Sequence, residues 1–117
     1  MRKAKGAYKS CVESGVIDDL SEPFPLTCSG TQWVGVTDRV MGGISSGTLS
    51  REVFQGRTAN VLRAHVTLEH NGGFVQMATD LSKDPSYSTY VDASDYDGIQ
   101  LTVFYDGEKE TENFNVQ

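Results

Sequence analysis

The sequence predicts an all-β protein, an antiparallel sandwich, on three observations. Polar and apolar residues alternate with period two in two long stretches, the pattern of half-buried strands. Glycine beside Asn, Asp, Gln or another glycine punctuates the chain at short intervals, supplying the positive φ angles that tight turns need. No i, i+3, i+4, i+7 apolar stripe runs long enough for an amphipathic helix of several turns.

Taken in chain order, Lys3 to Ser14 is the one helical candidate, and a short one. Thr31 to Val36 and Gly47 to Phe54 are strand candidates, separated by Gly42-Gly43; Gln55-Gly56 marks the turn after the second. From Val61 to Glu69 the alternation is clearest: Leu62, Ala64, Val66 and Leu68 interleave with Arg63, His65, Thr67 and Glu69. Asn71-Gly72-Gly73 then leads into an apolar-rich strand, Phe74 to Thr79. Leu81 to Tyr96, rich in Ser, Asp and Tyr, is expected to be a surface loop crossing between sheets. Beyond Asp97-Gly98, the residues Ile99, Leu101, Val103 and Tyr105 alternate with Gln100, Thr102, Phe104 and Asp106, predicting a strand that Phe104 suggests is covered on both faces. Phe114 to Gln117 starts another, with Phe114 and Val116 on one face. Short strands joined by regular turns select a sandwich or barrel.

A chain of 117 residues is the size of one domain with a core of its own. Its 38% hydrophobic content and mean hydropathy of -0.36 fit a globular protein. No apolar run approaches the ~20 residues of a membrane-spanning helix. Arg2, Lys3, Lys5 and Lys9 start the chain with no apolar stretch after them, so no secretory signal is expected. We therefore divide the chain into a basic, flexible segment at 1–15 and a β-domain at 16–117, and expect a cytoplasmic protein, or a mitochondrial one in a eukaryote. The formal net charge is -6, and every basic residue of the first ten lies outside the β-domain. Such an acidic body repels phosphate backbones, which argues against nucleic acid. Cys11 and Cys28 are expected as free thiols.

Several residues admit a functional and a structural role. Asp38 and Arg39 would form the polar end of a binding cleft; alternatively Asp38 ties the Gly42-Gly43 turn through backbone N–H groups and Arg39 pairs with an acid. Trp33 suits either a sugar-stacking platform or the core, and Tyr87, Tyr90 and Tyr96 sit in a loop where aromatics have fewer structural duties. Asp92, Asp95 and Asp97 offer hard oxygens for calcium, but their spacing departs from the calcium-loop phrase, and a solvated acidic loop is preferred. His65 and His70 show neither paired metal-ligand spacing nor a catalytic partner. The segment after Gly42-Gly43 is strand-like, which removes a phosphate loop, and no dinucleotide fingerprint occurs. No catalytic residue, metal or cofactor is expected.

The run Trp33-Val34-Gly35-Val36-Thr37-Asp38-Arg39-Val40-Met41-Gly42-Gly43-Ile44-Ser45 resembles the complex I intermediate-associated protein 30 family, typified by a tryptophan followed by D-x-V-M-G-G-x-S. Gly47-Thr48-Leu49, the stretch from Leu68 through Asn71-Gly72-Gly73 to Met77, and Val91 to Ile99 match further family phrases in the same order. The likeness spans Val16 to Gln117 and is closer to bacterial members than to the mitochondrial one. It implies a galactose-binding-like jelly roll and a non-catalytic role in assembling NADH:ubiquinone oxidoreductase, with a protein partner, a respiratory-complex subunit by resemblance. A carbohydrate or small ligand is the alternative. The binding residues it points to are Trp33, Asp38, Arg39, Met41, Gly42, Gly43, Asn71, Gly72, Gly73 and Tyr96. Family members continue past this point into a Leu-Arg-Thr phrase. The resemblance therefore implies a domain lacking its last strands, with an open edge that favours marginal stability or self-association.

Overall fold

The computed structural model describes residues 10–82, 91–107 and 114–117. The described residues are all-β, with four antiparallel strands and almost no helix: β1 (Trp33–Thr37), β2 (Ser46–Phe54), β3 (Arg57–His65) and β4 (Val75–Thr79). Of the expected N-terminal helix, one turn lies among the described residues, α1 (Cys11–Ser14). Ser10 and Glu13 cap it reciprocally, and Gly15 ends it in the left-handed conformation. Residues 1–9 of the expected basic segment lie outside the described residues, as do Tyr87 and Tyr90.

β2 and β3 form a hairpin in register from Ser46 opposite His65 to Phe54 opposite Arg57. The turn is the two-residue Gln55-Gly56, with φ of 51° and 78°. Positive φ at both central positions matches the twist of the flanking strands. This explains why β3 starts at Arg57, earlier than the Val61 that alternation marks. Pairing propagates from the turn through polar residues that carry no apolar signal. The ladder stops at His65 because the chain then diverts, with the Thr67 N–H donating to the Ser45 hydroxyl at 3.0 Å. Across the hairpin Arg63 grips Glu52 with both guanidinium arms, the Nη2–Oε1 bond being 2.9 Å. That hydrogen bonding, with Ser50 adding to it, holds the Glu52 carboxyl at about 2.

β1 pairs with β4, from Trp33 opposite Thr79 to Thr37 opposite Val75. β1 also touches β2, and β4 touches both strands of the hairpin. The interior this creates is largely polar. Among the described residues Cys11 is the one buried hydrophobic, whereas Thr27, Ser29, Thr31, Asp38 and Ser45 are all buried. Burying hydroxyls is tolerable only when they are hydrogen-bonded. Thr27 and Thr31 join Oγ1 to Oγ1 at 2.8 Å, and Thr31 meets the Thr79 hydroxyl at 3.1 Å, which itself donates to the Gln32 carbonyl at 2.9 Å. Both cysteines are free thiols.

Two expected strands differ. Ile99 to Tyr105 and Phe114 to Gln117 pair with no strand among the described residues. Alternation states which side chains share a face but not what lies alongside, and a strand exists only with a partner. The rings of Phe104 and Phe54 meet tilted with centroids 5.0 Å apart, and those of Phe114 and Tyr105 meet edge-to-face at 5.0 Å. Ile99, Leu101 and Val103 remain 61%, 55% and 64% exposed.

Candidate functional site

β1 ends where Thr37 caps a 3-10 turn, Asp38–Met41, its Oγ1 accepting from the Arg39 N–H at 3.2 Å. Gly42 closes the turn with its N–H on the Arg39 carbonyl, and the Gly43 N–H reaches the Asp38 carbonyl at 2.9 Å. A second 3-10 turn, Glu69–Asn71, follows β3 and leads through Gly72-Gly73 into β4. The Asp38 side chain joins the two turns. Its Oδ1 accepts the Ser45 N–H at 2.9 Å. Its Oδ2 accepts the Ser45 hydroxyl at 2.5 Å, the Gly73 N–H at 2.5 Å and the Phe74 N–H at 3.2 Å. The Asp38 N–H donates to the Phe74 carbonyl at 3.1 Å. One fully buried carboxylate thus ties together the end of β1, the start of β2 and the entry to β4.

Burial on its own would raise the Asp38 pKa. Hydrogen bonds from Ser45, Gly73 and Phe74 together outweigh it and hold the carboxyl below its ordinary 3.8. A carboxyl whose pKa is lower folded than unfolded contributes stability that is complete above the unfolded value and is lost as pH falls through the folded one. Stability is therefore expected to decline as pH drops below about 4. An acid titration of unfolding, read by the fluorescence of Trp33, checks this; stability flat to pH 2 contradicts it. Glu52 shifts in the same direction but is exposed, so Glu52→Gln is expected to leave most of the acid sensitivity in place.

The glycine phrases have a steric reason. A Cβ on Gly43 would lie 2.5 Å from Asp38 Cγ, and one on Gly72 would overlap the other face of the same carboxylate. Because four hydrogen bonds fix Asp38, it cannot swing aside. Gly43→Ala and Gly72→Ala are each expected to cost about 1–3 kcal/mol. Gly35→Ala in β1, where a Cβ meets nothing within 4 Å, is expected to change stability by under ~0.5 kcal/mol. Denaturant melts of the three variants check the contrast.

Of the residues singled out from sequence, Asp38, Gly43, Gly72 and Gly73 meet at this knot, and Asn71 belongs to the second turn by its backbone. Asp38 is a turn-tying residue, though its donors are Ser45, Gly73 and Phe74 instead of the Gly42-Gly43 turn. Arg39 lies outside, with Nε donating to the Ser45 carbonyl at 3.0 Å, where an acid was expected. Met41, 64% exposed, shares the outer surface of the turn with Val40, 75% exposed.

Trp33 and Tyr96 are not part of this cluster. Trp33 sits at the opposite end of β1, half-buried, with its indole N–H donating to Asp18 Oδ2 at 2.7 Å. The same oxygen meets Arg51 Nη2 at 3.2 Å in an ion pair whose side chains are 7% and 3% exposed. Asp18 Oδ1 accepts from the N–H groups of Leu20 and Cys28. Arg51 also donates to the carbonyls of Glu22 and Leu26 and to Asn60 Oδ1. The Tyr96 hydroxyl donates to the Val12 carbonyl at 2.7 Å, holding the 91–97 segment to α1. Sequence reasoning missed Asp18, Ser45 and Arg51. Ser45 stood within the signature phrase, but Asp18 and Arg51 carry no local signal, since their pairing spans 33 positions.

One group of prospective metal ligands converges among the described residues: Asp18, Asp19 and Cys28, with ligand atoms within 4.8 Å. Its donors are already engaged. Asp18 holds Arg51 and Trp33, Asp19 Oδ1 accepts both the N–H and hydroxyl of Ser21, and burial pushes the Cys28 thiol above its ordinary value. In the acidic loop of Asp92, Asp95 and Asp97, Asp92 Oδ1 accepts the Ser94 N–H at 3.0 Å. No helix of the described residues is long and apolar enough to cross a membrane.

The family model of Complex I intermediate-associated protein 30 (CIA30) matches residues 24–117. No curated protein and no solved structure matches the chain. The matched span takes in all four strands and the whole Asp38 knot, so this chain belongs to the complex I intermediate-associated protein 30 family.

Proposed function

We propose that this chain is a non-catalytic, assembly-factor-like domain that recognises a protein partner through the loop end built on Asp38. The observation that carries this reading is the display of large apolar side chains on two turns anchored to one buried carboxylate. Val40 and Met41 project from the first turn, and Leu68, 81% exposed, stands at the start of the second. Ordering a loop before binding lowers the entropic cost of the complex, and exposed apolar clusters rimmed by polar residues are characteristic of protein contacts. The Asp38 carboxylate has all its described contacts within the fold, which suits a structural role better than proton transfer. Arg39, Met41 and the backbone of Asn71 would face the partner, while Gly42, Gly43, Gly72 and Gly73 shape the turns. Family membership favours a subunit of a respiratory complex as that partner, and the compartment follows from it. The domain would comprise residues 16–117 in a galactose-binding-like sandwich, with 1–15 as a basic arm.

The test uses the full chain as bait in extracts containing NADH:ubiquinone oxidoreductase subunits and assembly intermediates. Wild type is expected to enrich such subunits. Val40→Asp with Met41→Asp is expected to lose them, while Val53→Asp, equally exposed on β2, retains them. Equal enrichment by both variants, or none by wild type, overturns the reading.

A further inference from the structure

Among the described residues, 99–105 are the longest uncharged, β-prone stretch that pairs with no strand. Ile99-Gln100-Leu101-Thr102-Val103-Phe104-Tyr105 contains no charge, proline or glycine, which is the composition of segments that pair with copies of themselves. Neither two-stranded sheet takes it up. Phe104, through its contact with Phe54, holds the stretch beside the end of the hairpin. Ile99, Leu101 and Val103 stay more than half exposed.

The sequence around this stretch distinguishes between ways of pairing two copies. In a parallel, in-register pair, Asp97 would lie beside Asp97 and Asp106 beside Asp106, and like charges directly opposite are destabilising. In an antiparallel pair centred on Thr102, Ile99 faces Tyr105, Leu101 faces Val103, and Thr102 faces its own counterpart. Ile99, Leu101, Val103 and Tyr105 then share one face, because directly opposed residues point the same way, while Phe104 lies on the other face opposite Gln100. Asp106 falls opposite Gly98, and Asp97 opposite Gly107. The two acids also sit on opposite faces of the ribbon, since they are an odd number of positions apart. Aromatic and β-branched cross-strand pairs and a Thr–Thr pair are among those that stabilise antiparallel ladders.

We infer that residues 99–105 form a self-recognition strand, through which two copies of this chain pair antiparallel about a two-fold axis at Thr102. The interface is isologous, so each contact occurs twice and closes without leaving a further copy of the same surface in the ribbon. It is separate from the loop end on Asp38 and does not depend on that end's partner.

Sedimentation velocity of the full chain over a concentration series tests this. Wild type is expected to show a reversible monomer–dimer equilibrium. Leu101→Lys removes both Leu101–Val103 contacts and places a charge in the ribbon, and is expected to weaken dimerisation by about tenfold or more. Adding Val103→Glu sets each Lys opposite a Glu of the other copy in the two-fold register, and is expected to restore most of the affinity. In a parallel pair it would restore none, because Lys would face Lys. Backbone hydrogen exchange on wild type gives a readout free of substitutions: protection at 99–105 should rise with concentration while β2 and β3 stay constant. A monomer at every concentration, dimerisation indifferent to Leu101→Lys, or a double variant as weak as the single one overturns the inference.

Discussion

Asp38→Ala is expected to lower the thermal midpoint by roughly 10 °C or more, the largest effect of any single substitution at the loop end. The truncation leaves the N–H groups of Ser45, Gly73 and Phe74 without their acceptor in a buried site, and the Ser45 hydroxyl with only the longer contact to the Thr67 carbonyl at 3.3 Å. A buried donor with no partner costs far more than an ordinary hydrogen bond contributes. Little apolar burial is available to offset the loss, since Cys11 is the one buried hydrophobic among the described residues. Asp38→Asn should fare little better. Whichever way the amide turns, its NH2 faces backbone N–H groups, of Ser45 or of Gly73 and Phe74, which are donors too. Ser45→Ala removes one acceptor and one donor, leaving the Asp38 contacts to the N–H groups of residues 45, 73 and 74, and should fall between these and wild type. Thermal melts followed by circular dichroism order the three. An Asp38→Ala protein that melts within ~2 °C of wild type would show that the knot does not hold the fold.

Removing Asp18 is expected to cost about 3–5 kcal/mol, the range for breaking a buried ion pair by deleting one partner. Asp18→Ala strips the counter-charge from Arg51, the indole acceptor from Trp33, and the acceptor for the N–H groups of Leu20 and Cys28. Arg51 keeps its bonds to Glu22, Leu26 and Asn60, which places the loss toward the lower end. Arg51→Met alone should be comparably harmful, because it frees the segment from Glu22 to Leu26. A combined Asp18→Leu and Arg51→Met variant should recover part of the stability, as apolar replacements of buried pairs often do, but not all of it, because the indole and amide donors remain unmatched. Trp33 is the single tryptophan, so its emission reports on this network directly in denaturant titrations. A loss under ~1 kcal/mol would place the pair among contacts of little consequence.

The two knots differ in how visible they are in the sequence. At the Asp38 end, the ligands of the carboxylate come from positions 45, 73 and 74, beside two glycine pairs that mark close approaches of backbone. The glycines therefore announced the site, though not that the approaching group was the Asp38 side chain itself. At the Trp33 end, nothing local linked residue 18 to residue 51. One Asp of an Asp-Asp pair near the start of the chain and an Arg within a strand are each ordinary, and only the folded chain places them 3.2 Å apart. The same reasoning explains Trp33: an indole on a short strand suits a stacking platform or a core, and its hydrogen bond to Asp18 depends on where the N-terminal segment runs.

Strand identity came from short-range pattern, and strand pairing did not. The alternation at Leu62 to Leu68, the Gln55-Gly56 turn and the glycine entry to β4 all reflect constraints within a few residues, so β2, β3 and β4 could be placed from the sequence. Alternation at Ile99 to Tyr105 is just as regular, yet those residues pair with no strand among the described residues, because a ladder needs a partner edge as well as a pattern. The sequence by itself determined the all-β class, the family and the position of the turns, since these rest on local backbone preference and a contiguous phrase. Only the tertiary structure decided that the signature aspartate is a buried tie between two turns, that Trp33 serves a polar anchor, and which apolar residues remain exposed. Those outcomes depend on contacts between residues tens of positions apart, which no local pattern encodes.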